Sequence, residues 1–178
     1  MTQFTLFETS LGWCGLAWTE TGLAAVRLPA PDREAARKAV LRQEPGAAEA
    51  APPVWAAAVI ADIQDLLAGG KPDFSDAPID FSQVPAFNAG VYAITRAIPP
   101  GETLTYGEVA ARLGDKNLAR AVGKALGENP WPIVVPCHRI TAAGGKLGGF
   151  TAPGGAGTKL KLLAIEGAKA AGQPELFG

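Results

Sequence analysis

Apolar residues recur in short, strand-like runs through the first thirty positions. Phe4-Thr5-Leu6-Phe7-Glu8-Thr9, Trp13-Cys14-Gly15-Leu16-Ala17-Trp18 and Leu23-Ala24-Ala25-Val26-Arg27-Leu28 each have the length and content of a β-strand. Gly12 and Thr21-Gly22 punctuate them, which predicts an antiparallel meander. The pattern then lengthens toward a helical period. Arg33 to Gln43 is alanine-rich with mixed charge. Val54 to Leu67 sets Val54, Ile60, Ile63, Leu66 and Leu67 at partial helical spacing before Gly69-Gly70 stops it. An Ala/Glu/Pro loop over residues 44–53 separates the two helices.

Lys71 to Val84 is rich in Pro and Asp and reads as a linker, so a domain boundary is placed near residue 84. Beyond it the pattern changes to short helices and glycine-rich loops. Ala86 to Ile98 predicts a helix stopped by Pro99-Pro100-Gly101. Thr105-Tyr106-Gly107-Glu108 fits a capping box, in which Thr105 caps a helix and Glu108 reaches back to the Thr105 amide. Val109, Ala110 and Leu113 give that helix an apolar face, Gly114 ends it, and Asp115-Lys116-Asn117 turns the chain into a helix from Leu118 to Leu126. Spacing alone fits a helix-turn-helix and a plain helical hairpin within a core equally well. The fold class is α+β: residues 1–84 form an antiparallel sheet with helices, 85–168 a mostly helical domain, and 169–178 a tail.

At 178 residues with 48% hydrophobic content, the chain can bury a core. The start Met1-Thr2-Gln3-Phe4 has no signal-peptide pattern, and the apolar run around Val54 to Ala61 is too short for a bilayer, so a cytoplasmic protein without membrane contact is expected. Two cysteines, Cys14 and Cys137, and a single histidine suit a reducing compartment and fall short of a structural zinc site, so no metal is expected. Residues 1–85 hold six Lys and Arg against eleven Asp and Glu, whereas 86–178 hold ten against six. Of the two halves, only the second has the charge to meet a polyanion.

Candidate chemistry concentrates in Asn129-Pro130-Trp131-Pro132-Ile133-Val134-Val135-Pro136-Cys137-His138-Arg139-Ile140. Three prolines in seven residues fix the backbone leading to Cys137. A thiol beside an imidazole and an arginine has a route to a lowered pKa, and the thiolate is the reactive form. Neighbours on a strand point to opposite faces, so direct contact between Cys137 and His138 needs a turn or a bridging water. Taken alone, a Cys-His pair is more often an inert buried thiol beside an arbitrary histidine.

Pro-Cys-His-Arg after Ile-Val-Val, with Asn129-Pro130 upstream, resembles the active-site signature of O6-alkylguanine-DNA alkyltransferases. The resemblance takes in Gly101-Glu102-Thr103, Tyr106-Gly107-Glu108, Ala119-Arg120-Ala121-Val122-Gly123, Gly148-Gly149-Phe150, Lys159, Leu162-Leu163 and Glu166-Gly167, over roughly residues 86–168. It implies a single-turnover transferase that moves an alkyl group from O6-alkylguanine, with O4-alkylthymine a second candidate, irreversibly onto Cys137. His138 is implied as the base acting through a water, Glu166 as the carboxylate orienting it, and Tyr106 as the donor to N3 of the departing guanine. Arg120 is implied as the finger filling the duplex when the nucleotide is flipped out. The small Ala119, Ala121 and Gly123 would let the helix approach the minor groove closely. Asn129 is implied as the tie between this helix and the active-site strand, and Val135, Pro132, Phe150 and Thr151 as the substrate pocket. No cofactor is implied, and the partner is double-stranded DNA met by a monomer, with nucleoid association.

Several features depart from the family pattern. Phe150 stands where tyrosine is frequent, so lesion recognition would rest on the Thr151 amide and its neighbours, and Thr151 to Thr158 is slightly long. The terminal Gln173-x-x-Leu176-Phe177 resembles a peptide that docks on the bacterial sliding clamp; folding back onto the domain as a cap is the alternative. Three other function classes fit less well. A non-enzymatic lesion-binding relative would replace the cysteine. A cysteine hydrolase would leave the helix-turn-helix unexplained. A transcription regulator would want longer polar side chains on its recognition helix.

Overall fold

The computed structural model describes residues 1–142 and 155–167, with side chains of the last stretch from Thr158 on. Phe150 and Thr151 of the expected pocket, and the tail with Gln173, Leu176 and Phe177, lie outside the described residues. Two compact units emerge: Met1–Gln83 together with Pro130–Val134, and Val84–Asn129 together with the chain from Val135 onward. Residues 130–134 thus belong to the first unit although they lie beyond residue 84.

In the first unit, β1 (Gln3–Thr9), β2 (Gly12–Trp18) and β3 (Leu23–Ala30) form the expected antiparallel meander. A short β4 (Ala48–Glu49), inside the stretch read as a loop, adds a parallel edge beside Gln3 and Phe4, giving the order β3-β2-β1-β4. Two residues carry too little pattern to announce a strand. Helix α1 (Arg33–Gln43) is capped by the Asp32 side chain, which accepts from the Ala35 amide at 2.8 Å. It packs on the sheet, where Val40 joins Phe4, Ala17 and Ala25 in the core.

Helix α2 (Val54–Leu67) buries Ala56, Val59, Ile63, Leu66 and Leu67. Val54, expected on this stripe, is 89% exposed, because at 100° per residue it falls on the opposite side of the helix. Alanine and valine at 56 and 59 extend the buried face in its place. The Pro- and Asp-rich stretch is also more ordered than its composition implies. Leu23 N donates to Pro78 O at 2.9 Å, Asp80 N donates to Leu23 O at 3.0 Å, and the Thr19 hydroxyl donates to Asp80 Oδ2 at 2.7 Å.

The inserted segment Pro130–Val134 extends these bonds. Val26 N donates to Pro130 O at 2.9 Å, and the Trp131 indole N–H donates to Leu23 O at 2.9 Å, so that carbonyl uses both lone pairs. Trp131 is 1% exposed and meets the Phe81 ring edge-on at 5.5 Å. Ile133 sits at φ +78°, a conformation a β-branched residue adopts only when its surroundings force it, at a cost of about 1–3 kcal/mol.

The second unit is mostly helical. Helix α3 (Ala86–Arg96) ends two residues before the expected Ile98. A two-residue β5 (Leu104–Thr105) leads into α4 (Tyr106–Arg112), whose start carries both halves of the capping box: Glu108 N to the Thr105 hydroxyl at 3.0 Å and Thr105 N to Glu108 Oε1 at 3.1 Å. A 3-10 turn at Lys116–Leu118 precedes α5 (Ala119–Gly127), which packs on α4 and α3. The Tyr92 hydroxyl ties α3 to α5 by donating to Ala125 O at 2.7 Å. Strand β6 (Ile140–Thr141) pairs parallel with β5, and α6 (Gly155–Ile165) packs on the turn just before β6. Among the described residues no helix is long and apolar enough to cross a membrane.

Replacing Trp131 with Phe should retain most of the apolar contact but remove one donor to the buried Leu23 carbonyl, costing about 1–3 kcal/mol. Trp131→Ala should cost about 3–5 kcal/mol. Urea denaturation of both variants checks the order; a negligible loss in Trp131→Phe would mean that the indole hydrogen bond contributes nothing.

Candidate active site

Cys137, His138 and Arg139 occupy one 3-10 turn, where a strand had been expected. Pro136, at ψ 68°, bends the chain into it, with Cys137 N donating to Val135 O at 2.8 Å and Arg139 N to Pro136 O at 2.9 Å. Asn129, just past α5, braces the approach. Its Nδ2 donates to Val135 O at 2.9 Å and its side chain hydrogen-bonds the Cys137 thiol. The parallel β5–β6 pair sets Thr105 opposite Thr141 and so brings Tyr106, the first residue of α4, near the turn.

From the other side α6 contributes Lys159 and, one residue past its end, Glu166. Lys159 is fully buried; its Nζ donates to Ile140 O at 2.6 Å and lies 5.9 Å from the centre of the Tyr106 ring. Glu166 is buried and accepts from two neighbours. His138 Nε2 lies 2.7 Å from Oε1, and Arg139 holds the carboxylate through Nε at 3.0 Å from Oε2 and Nη2 at 2.7 Å from Oε1. Arg139 Nη1 donates to Ile98 O at 2.6 Å. Gly101, at φ +92°, passes so close that a Cβ there would lie 3.2 Å from Glu166 O.

The electrostatics follow from this burial. Glu166 has its pKa lowered to about 2 because the hydrogen bonds and charges of His138 and Arg139 outweigh the upward push of burial. Burial drives His138 below the usual histidine range despite Glu166, so the resting imidazole is neutral. With Nε2–H donated to Glu166, its lone pair is on Nδ1, which has no protein partner among the described residues. Such a nitrogen can accept a proton. The Cys137 thiol is not lowered as its cationic neighbours had suggested: burial raises it, against the opposing effects of the Asn129 hydrogen bond and the Lys159 charge. Arg139, expected to help, is turned onto Glu166. Burial also raises the Tyr106 phenol, which stays protonated and able to donate, and lowers Lys159 to about 8.

The other expected residues divide by place. Arg120 and Ala121 are exposed on α5, Ala119 and Gly123 are half-buried, and Val122, Ala125 and Leu126 face inward. Lys124, exposed one turn after Arg120, was not singled out, although its i+4 spacing marks the same face. Val135 is buried beside Cys137, whereas Pro132 belongs to the first unit. Cys14 is a buried strand residue with its thiol raised to about 12. Sequence reading takes Arg139 only as a cation beside the thiol and Lys159 only as a matched motif position, and gives neither its role at the carboxylate turn. A lysine within an apolar helix and an arginine following the histidine give no sign of whether they face water.

Known proteins resemble this arrangement. A family model described as 6-O-methylguanine DNA methyltransferase, DNA binding domain, matches residues 86–168. The chain is 33% identical over 159 residues to a methylated-DNA–protein-cysteine methyltransferase of Methanothermobacter thermautotrophicus, covering 89% of this chain and 82% of that one. It is 42% identical over 106 residues to a DNA base-flipping protein of Thermus thermophilus, 60% of this chain and 69% of that one. The crystal structure of Mycobacterium tuberculosis OGT in complex with DNA matches with a TM-score of 0.74 at 29% identity, over 94% of this chain and 96% of that one.

Acid should destabilise the fold in two steps. Below pH 6.5 the unfolded chain protonates its imidazole while buried His138 resists, and from 4.5 down to about 2 the same holds for Glu166. Both groups bind protons more readily when unfolded, so stability falls as pH falls. Glu166→Gln should lower stability at neutral pH by about 3–5 kcal/mol, because Arg139 loses its partner. It should also shrink the second step to the smaller share of Asp80, whose carboxyl is held down by hydrogen bonds from Ser82 and Thr19. Urea midpoints at pH 7, 5 and 3 read both effects; an unchanged slope below pH 4.5 would contradict the assignment.

Proposed function

The chain belongs to the O6-methylguanine DNA methyltransferase family, and from that premise we propose that it repairs DNA by moving an alkyl group from O6 of guanine onto Sγ of its own Cys137. The observation that carries this reading is the buried neutral imidazole of His138, the residue after Cys137, tied through Nε2 to Glu166 and with Nδ1 unpartnered among the described residues. The thiol proton passes to Nδ1 through a water, Sγ bonds the alkyl carbon, and the carbon–O6 bond breaks with its electron pair on the base. Tyr106 supplies a proton at N3 of the departing guanine, and the proton held by His138 restores the phenol. The same chemistry serves O4-alkylthymine.

A thioether is a poor leaving group toward water, and Cys14, the other thiol, is buried in the sheet of the first unit. The product therefore stays on Cys137 and each molecule acts once. Residues 85–168 carry the reaction, and every group named lies in one chain, so a monomer suffices. Exposed Arg120, flanked by small Ala119 and Ala121, supports entry of α5 into the minor groove with Arg120 replacing the flipped nucleotide. Lys124 on the same face would add a phosphate contact. Nucleoid association follows from DNA binding, and the Gln173, Leu176 and Phe177 pattern supports a sliding-clamp contact.

Incubation with an O6-methylguanine oligonucleotide should add one methyl group to the Cys137 peptide by mass spectrometry. Cys137→Ser should abolish transfer yet retain DNA binding. More than one lesion repaired per molecule would overturn the single-turnover mechanism.

Arg120→Ala should slow repair of duplex DNA far more than reaction with free O6-benzylguanine, since extrusion costs about a few kcal/mol and only the duplex requires it. Tyr106→Phe should slow both. Single-turnover rates on the two substrates make the comparison; equal losses for Arg120→Ala would make it a residue of the pocket or the fold.

A further inference from the structure

We propose that Arg139 is a positioning residue for the transfer step: by holding both oxygens of Glu166 it keeps His138 an uncharged, correctly turned proton acceptor. This rests on the reading of His138 as the base for Cys137.

Arg139 commits all three guanidinium nitrogens: Nε lies 3.0 Å from Glu166 Oε2 and 3.2 Å from Oε1, Nη2 lies 2.7 Å from Oε1, and Nη1 lies 2.6 Å from Ile98 O. Oε2 is taken by Arg139, while Oε1 is shared with His138 Nε2 at 2.7 Å. The carboxylate is therefore held against rotation, and because an ionised carboxylate only accepts, the imidazole nitrogen that faces it carries the hydrogen. Nε2 must donate, which leaves Nδ1 as the acceptor.

Charge points the same way. Glu166, His138 and Arg139 are all buried, so water does little to screen them. A lone carboxylate against an imidazole in such a place favours imidazolium, and an imidazolium cannot take a proton from the thiol. The Arg139 cation on the far side of the carboxylate offsets that pull. Lys159 of α6 adds to the offset, and the groups facing the turn from elsewhere, Tyr106 of α4 and Tyr92 of α3, are neutral phenols. Arg139 touches none of the reacting atoms and acts through Glu166 alone.

His138 is the single histidine of the chain, so one imidazole resonance reports it without ambiguity. The test is an NMR titration of that resonance, paired with the pH dependence of benzyl transfer from free O6-benzylguanine. In Arg139→Gln, which keeps a hydrogen-bond donor but loses the charge, the imidazole pKa and the acid limb of the rate should both rise by about one unit, the size expected for a charge removed at this range. Arg139→Lys, which keeps the charge, should leave the limb in place and lower only the rate. Arg139→Gln with Glu166→Gln removes both buried charges together, avoids an unpaired one, and should take the imidazole pKa below that of the unaltered chain, because Glu166 raises it through a hydrogen bond and its charge more than Arg139 lowers it. No rise in the single variant overturns the proposal; if that variant does not fold, a double variant whose imidazole pKa is no higher than that of Glu166→Gln overturns it. His138→Gln separates the two readings. An acid limb that survives in that variant would sink His138 as the base, whereas an unmoved limb in Arg139→Gln, with His138 still the titrating group, would sink only Arg139.

Discussion

Taking a carboxylate out of water costs several kcal/mol unless cations and donors replace its hydration, and the reacting end of the second unit is organised around one such carboxylate, Glu166. Its partners come from a turn, His138 and Arg139, and the turn is secured in its own right. Arg139 reaches back to Ile98 O, Lys159 holds Ile140 O, and Gly101 gives way where a side chain would collide with Glu166 O. Loss of the carboxylate would leave a buried guanidinium without its partner and an imidazole free to turn. The position of the proton acceptor and the integrity of the fold therefore depend on one group.

The same burial works against the reactivity of Cys137. A buried thiol resists ionisation, and here that effect exceeds the combined help of Asn129 and Lys159. Resting Cys137 is a thiol, protected from stray electrophiles and oxidants that attack thiolates. Activation then depends on moving the proton when an alkyl donor is present, which places the weight on His138 Nδ1. In a chain that acts once, protection of the unused nucleophile matters as much as its speed.

Within the first unit, the segment Pro130–Val134 shows how a strained backbone is tolerated. Ile133 at φ +78° costs about 1–3 kcal/mol, while burial of a tryptophan such as Trp131 contributes about 3–5 kcal/mol. Two backbone-directed hydrogen bonds, Val26 to Pro130 and Trp131 to Leu23, reinforce what the buried indole contributes. Packing outweighs strain, and the flanking prolines narrow the alternatives the segment could adopt.

Local pattern determined much of this protein. The meander, α1, α2 and the Thr105–Glu108 capping box are fixed by contacts within a few residues, so their spacing announces them. The stretch around Pro136-Cys137-His138-Arg139 marked the nucleophile and its neighbour. Tertiary structure decided the rest, because burial and charge depend on residues far apart in the chain. Nothing near residue 139 indicates that its guanidinium turns to Glu166, 27 positions on. Lys159 enters the sequence reading only as a matched motif position, and its burial against Ile140 O and Tyr106 is set by the tertiary fold. The thiol, expected to be lowered by cationic neighbours, is raised because desolvation, which no sequence spacing records, is the larger effect.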